Sequence, residues 1–227
     1  MSEVVLVSGG SGGIGGALCV RLAAAGYRPV IGYGANEAVA TALAKTTGGL
    51  ALALDVRDTA AVQAALDRLE AEPGNLAGVV LAASPAPTIA PLVRHSAEDL
   101  EGQWAVNVSG SVNLLEGVIK RFMRPQKKGW VIGILSQAMG LDGETAKSMG
   151  GYIIAKYGLL GLLRVIDAEY AWLNVHHIEP GYTETAMLEA FDERFLQTLR
   201  KARPDGRFET PDEVAARIMD LIGIETP

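Results

Sequence analysis

The chain has 227 residues, 49% of them hydrophobic, which is enough for a sizeable core in one large domain or two small ones. Its formal charge of −6 is spread along the chain and argues against non-specific nucleic-acid binding, and its single cysteine excludes an internal disulfide framework. The Met-Ser-Glu start lacks the regions of a signal peptide, and no apolar stretch approaches the roughly 20 residues of a membrane span, so a soluble, cytoplasmic protein is expected.

The first expected strand, Val4–Ser8, runs straight into Gly9-Gly10-Ser11-Gly12-Gly13-Ile14-Gly15, and a helical pattern follows over Gly13–Ala25. Glycine lets backbone N–H groups approach a phosphate with no Cβ in the way, and a helix N-terminus adds donors and a partial positive charge. A merely tight βα turn has no need of five glycines, so we read the loop as a dinucleotide cradle. Its spacing, G-x-x-x-G-I-G from Gly9 to Gly15, departs from the ordinary G-x-G-x-x-G. Cys19 falls among Leu18, Val20 and Leu22 and is expected to be a buried thiol.

Further strands are expected at Pro29–Tyr33, Leu50–Asp55, Gly78–Ala83, Gly129–Leu135 and Leu173–Glu179. Helical patterns cover Glu37–Thr46, Thr59–Ala71, Ala97–Met123, Tyr152–Trp172, Leu188–Lys201 and Pro211–Ile222. The strands are nearly continuous apolar runs, as a parallel sheet covered on both faces requires. This alternation predicts an α/β, doubly wound Rossmann-type sheet in one domain over 1–227, with its chemistry just beyond the carboxyl ends of the strands.

Tyr152 and Lys156 stand at i and i+4, so a helix brings both to one face. A tyrosine with a pKa near 10 works as an acid–base at neutral pH only when a cation stabilises its phenolate, and a lysine one turn away supplies that cation. Ser136 closes the fifth strand, where a hydroxyl can hold a carbonyl oxygen. Asn107 lies mid-helix in "WAVNVSG", a site otherwise read as a kink or a solvated amide.

In this order, the glycine loop, Asn107, Ser136, Tyr152 and Lys156 resemble the short-chain dehydrogenase/reductase family, with its T-G-x-x-x-G-x-G loop and Y-x-x-x-K pair. The resemblance makes Asn107, Ser136, Tyr152 and Lys156 the catalytic group. Ser8 stands where the family usually has Thr. Asp55-Val56 is similar to the pair that contacts adenine, Ala82 and Ala83 fall in the segment that is usually N-N-A-G, and Pro180, Gly181 and Thr183 fall in the P-G-x-x-x-T segment beside the nicotinamide. The implied dinucleotide site therefore comprises Ser8, Gly9, Ser11, Gly12, Gly13, Ile14, Gly15, Asn36, Asp55, Val56, Ala82, Ala83, Tyr152, Lys156, Pro180, Gly181 and Thr183, with no metal.

The chain departs from the family in four places. The strand-tying Asn of N-N-A-G is absent, and the interval from Ser136 to Tyr152 is longer than usual, its extra residues expected to edge the substrate site. His176 stands where many members have Asn in strand six, and with the adjacent His177 facing the opposite way on the strand both are read as structural. The usual C-terminal seventh strand, which in the family joins a tetramer interface, has no counterpart, so six strands are expected.

No acid closes the second strand to hold a ribose 2′-OH, and Ser11 and Asn36 can donate to a 2′-phosphate, so NADP(H) is favoured slightly over NAD(H). The layout is closest to 3-oxoacyl-carrier-protein reductases. The implied reaction is hydride transfer between nicotinamide and a ketone or secondary alcohol, on a small molecule or a carrier-protein-bound 3-oxoacyl thioester. The basic run Lys120, Arg121, Arg124, Lys127 and Lys128 is either a carrier patch or a solvated helix end. The alternatives are a non-catalytic dinucleotide-sensing or partner-binding subunit, and a Tyr/Lys-dependent dehydratase or epimerase. Val108, Val112, Leu115, Ile119, Leu159, Leu163 and Ile166 exceed what one buried helix face needs. A homodimer on the helices that carry them is expected, with Leu163 in its interface.

Overall fold

The computed structural model describes residues 3–224. Its strands are β1 (Val4–Ser8), β2 (Arg28–Tyr33), β3 (Leu50–Ala53), β4 (Leu76–Leu81), β5 (Trp130–Ile134) and β6 (Asn174–Ile178). They form one six-stranded sheet in the order β3-β2-β1-β4-β5-β6, every neighbouring pair parallel. The helices are α1 (Gly13–Ala24), α2 (Glu37–Thr47), α3 (Thr59–Glu70), α4 (Ala97–Trp104), α5 (Gly110–Val118), α6 (Arg124–Gln126), α7 (Gly150–Glu169), α8 (Glu193–Ala202) and α9 (Pro211–Leu221).

Side chains alternate across a strand, so each central strand feeds two cores. Val4 and Leu6 of β1 pack with Leu66, Leu114 and Leu159 from α3, α5 and α7. Val5 and Val7 pack on the other face with Leu18, Ala40 and Ile218 from α1, α2 and α9. Cys19 lies in this second core, where burial pushes its thiol up to about 12. The chain builds outward from β1 to β3 and then returns to place β4 on the other side of β1. The loops after β1 and β4 therefore diverge, and a crevice opens at the carboxyl ends of the strands.

Ser8 of β1 ties that strand to β4 through its side chain. Its buried hydroxyl donates to the Val80 carbonyl at 3.2 Å and lies 3.5 Å from the Ala83 N–H, which holds β1 to β4 beneath the floor of the crevice.

Three expectations need correction. The helix expected over Ala97–Met123 is interrupted by π-helical turns at Ala105–Ser109 and Ile119–Met123. At the first, Asn107 Nδ2 donates to the Gln103 carbonyl at 3.0 Å and the Ser111 hydroxyl to the Asn107 carbonyl at 2.8 Å, so side chains compete for acceptors that an α-helix would use. The helix expected over Leu188–Lys201 begins later. A 3₁₀ turn covers Ala186–Ala190, and Asp192 then caps α8 by accepting from the N–H groups of Arg194 and Phe195.

The third correction concerns the proposed interface. Leu115, Ile119, Leu159, Leu163 and Ile166 are buried within the chain itself, Leu163 against Gly133 of β5. The apolar side chains that these helices leave exposed are Trp104, Val112, Ile154, Tyr157 and Val165.

Candidate active site

The crevice holds about 410 Å³ and is walled by the β1–α1 loop, the ends of β4 and β5, the start of α7 and residues 180–191. At its floor the glycines of the loop are fixed by space. Gly9 takes φ +67°, and a Cβ on it would stand 2.7 Å from the Ala83 backbone nitrogen. A Cβ on Gly15 would come within 2.4 Å of the Gly9 carbonyl oxygen. Gly12, at the N-cap of α1, offers no side-chain cap, and the first turn carries no acid. The free N–H groups of that turn, in a helix whose first residues line the crevice, fit a pyrophosphate.

Gly9, Gly12, Gly13, Ile14, Gly15, Ala82, Ser136, Tyr152, Lys156, Pro180, Gly181 and Thr183 all line this one space. Other expected site residues stand elsewhere. Ser8 lies beneath the loop, and Ser11, Asn36 and Ala83 are outside the lining. The Asp55 carboxylate is paired with Arg57 at 2.6 and 2.9 Å, which holds it below the usual carboxylate range. Val56 is buried against Gly110, and its carbonyl accepts from Asn113 Nδ2 at 3.1 Å.

The reactive group is assembled by β5 and α7. Ser136 stands two residues beyond the end of β5 and caps the following 3₁₀ turn, its Oγ accepting from the Ala138 N–H at 3.2 Å. Tyr152 and Lys156 are both buried, 7% and 2% exposed, on the first turns of α7. Burial raises the Tyr152 phenol above its ordinary value, and interaction with the Ser136 hydroxyl opposes that rise. Burial also pulls the Lys156 ammonium down to about 7. Its Nζ donates to the Ile134 carbonyl at 2.8 Å and stands 5.4 Å from the centre of the Tyr152 ring. One of its three protons is thereby committed, and the rest remain for groups entering the crevice.

Asn107 is fully buried. Its Nδ2 donates to the Gln103 carbonyl and to Gln103 Oε1 at 3.0 and 3.2 Å, while Oδ1 has no protein partner. An orphaned buried acceptor suits an ordered water.

The outer crevice is apolar. Ala138, Ala146, Met149, Met187 and Phe191 pack around Tyr152, and Tyr182 and Glu144 complete the wall. Sequence reasoning placed the longer 136–152 interval at this edge but named none of these side chains. Tyr182 stands between Gly181 and Thr183 of the segment expected beside the nicotinamide, and its ring cluster with Phe191, Phe195 and Phe208 is assembled only in space.

The basic run is remote from the crevice. It precedes β5 and so lies at the amino edge of the sheet, where Arg121 pairs with Asp67 and Glu70, and Lys128 with Glu3.

A family model for the short chain dehydrogenase matches residues 3–194. The chain is 34% identical to a D-threitol dehydrogenase of Mycolicibacterium smegmatis, over 96% of this chain and 85% of that one. It is 32% identical to an acetoacetyl-CoA reductase of Rhizobium meliloti, over 97% and 91%. The crystal structure of a levodione reductase superposes with a TM-score of 0.84 at 28% identity, covering 97% of this chain and 90% of that one. The chain belongs to the short-chain dehydrogenase family and is an NAD(P)-dependent oxidoreductase.

Proposed function

We propose that the protein interconverts a ketone and a secondary alcohol, with Tyr152 as the general acid in reduction and the general base in oxidation. The observation that carries this reading is the convergence of Ser136, Tyr152 and Lys156 on one crevice whose outer wall is apolar. When bound, the nicotinamide gives or accepts the hydride. Ser136 orients the carbonyl oxygen, and the Tyr152 hydroxyl delivers its proton there. Lys156, held by Ile134, stabilises the phenolate left behind and donates to the nicotinamide ribose. Lys156 then passes a proton back to the Tyr152 phenolate, and a water held by Asn107 Oδ1 replaces the proton that Lys156 gives up. Met149, Met187 and Phe191 favour an apolar chain beside the reacting carbon, as in a 3-oxoacyl thioester, over a polyol.

NADP(H) is preferred to NAD(H) in this reading. Tyr33 to Asn36 at the end of β2 include no acid, Glu37 is engaged with the Tyr33 hydroxyl, and the Asp55 charge is neutralised by Arg57. The 120–128 run lies away from the crevice and lends a carrier protein no basic support there, and a relative carries the name acetoacetyl-CoA reductase, so a coenzyme A thioester is the form of the substrate we favour. The acting form is a homodimer. Trp104, Val108 and Val112 follow i, i+4, i+8, and Ile154, Tyr157 and Val165 line α7 beside them, the two helices meeting where Gly158 faces Val108 and Trp104.

The deciding experiment is turnover of a panel of apolar ketones, 3-oxoacyl thioesters and polyols with NADPH and NADH. Reduction of apolar 3-oxo compounds is expected, fastest with NADPH. Dinucleotide binding without turnover of any of them would favour the sensing subunit.

A further inference from the structure

We propose that Glu209 and Arg217 form a clamp that positions loop 180–185, the support of the nicotinamide half of the cofactor. This rests on the dinucleotide reading above. The loop leaves β6, the last strand in the sheet order, so among the described residues no strand flanks it on its outer side. A loop in that place loses the restraint that a neighbouring strand gives its backbone.

Residues 207–210 supply the restraint instead. The Glu209 N–H donates to the Tyr182 carbonyl at 3.2 Å, the Glu184 N–H donates to the Glu209 carbonyl at 2.9 Å, and Thr183 and Glu209 are parallel bridge partners. The Glu209 side chain adds a third tie. Its Oε2 accepts from the Gly181 N–H at 3.3 Å, and its Oε1 accepts from Arg217 Nη1 at 2.6 Å. Gly181 is thus enclosed, since a Cβ there would stand 2.8 Å from Gln137 Oε1 and 3.7 Å from Glu209 Oε2.

The clamp is itself rigid. Phe208 is buried beside the Tyr182 ring, their centroids 5.4 Å apart, and Thr210 forms a capping box with Glu213 at the start of α9. Arg217 lies on the same helix, which packs on α1 and is pinned to it by Arg21 and Asp212. Helix α1 opens with the glycine cradle, so one helix pair fixes both the pyrophosphate loop and the nicotinamide loop. Glu209 does not line the crevice and touches neither cofactor nor substrate, which makes it a positioning residue.

The test compares the affinity of the whole reduced dinucleotide with that of its fragment lacking nicotinamide, ADP-ribose or the 2′-phosphorylated form, by calorimetry. In Glu209→Ala the whole dinucleotide should bind about fivefold more weakly, less than the full effect of one charge-assisted hydrogen bond because the bond lost holds the loop and not the ligand, with the fragment changed less than twofold. Arg217→Ala should act in the same direction and add little in the Glu209→Ala background. Glu209→Gln keeps the shape and one acceptor, guards against a variant that fails to fold, and should give an intermediate loss. Equal weakening of both ligands, or of neither, would overturn the clamp alone. A wild-type protein that binds neither ligand would overturn the dinucleotide reading, and the clamp with it.

Discussion

The Lys156 ammonium donates to the carbonyl oxygen of Ile134 at 2.8 Å, which ties the helix carrying Tyr152 to the end of β5, two residues before Ser136. A buried cation with a single neutral acceptor is poorly compensated, and its depressed pKa of about 7 expresses that cost.

The sign of the effect on stability follows from that shift. The folded-state pKa lies below the unfolded value, so between about 7 and the ordinary lysine value near 10.4 the unfolded chain binds more protons and stability rises with pH. Lys156→Met should therefore be more stable than the wild type at pH 6 to 7, by on the order of a few kcal/mol, and less active. Its advantage should vanish above about pH 10.5. Thermal unfolding of both proteins across that range is the check, and an advantage independent of pH would contradict it.

Tyr152→Phe removes the proton donor and little else. Carbonyl reduction should fall by several orders of magnitude while dinucleotide affinity stays within about twofold, because the hydroxyl acts mainly in the transition state. Steady-state kinetics beside a binding titration separates the two quantities. Near-normal turnover would remove Tyr152 from the mechanism.

The glycine loop makes a graded prediction. A methyl at Gly15 strikes the Gly9 carbonyl, which is backbone and cannot swing aside, whereas a methyl at Gly13 meets the side chain of Thr185. Gly15→Ala should abolish dinucleotide binding, and Gly13→Ala should weaken it only partly. Gly13→Val presses further on the loop after β6 and should resemble Gly15→Ala. Calorimetry on variants with native circular dichroism tests the ranking, and the reverse order would mean that the cradle is not held as described.

Assembly is tested on the exposed stripe rather than on the core. Leu163→Glu would bury a charge beside Gly133 and unfold the chain, so it says nothing about a dimer. Val112 and Val165 are 44% and 52% exposed, and glutamate at both should leave the fold intact and convert a dimer to monomer. Light scattering at micromolar concentration reads the mass. A wild-type monomer, or a dimer indifferent to the double substitution, would displace the interface.

The sequence by itself determined the parallel sheet, the glycine-rich turn between β1 and α1 and the Tyr152–Lys156 pair, because these rest on local relations. Apolar runs, a strand–glycine–helix order and an i, i+4 spacing are fixed by neighbours within a few residues of one another. Only the tertiary structure decided which side of each helix was spare. Leu163 and Val165 are equally apolar in the sequence, and α7 turns one to β5 and leaves the other exposed. It alone showed that Ser8 ties β1 to β4, since the Val80 carbonyl is 72 residues away in the chain. It also brought Glu209 to Gly181 across 28 residues, a contact with no local period to announce it. The basic run illustrates the same limit. Its charge was plain in the sequence, but the end of the sheet on which it falls depends on the direction of β5 within the assembled fold.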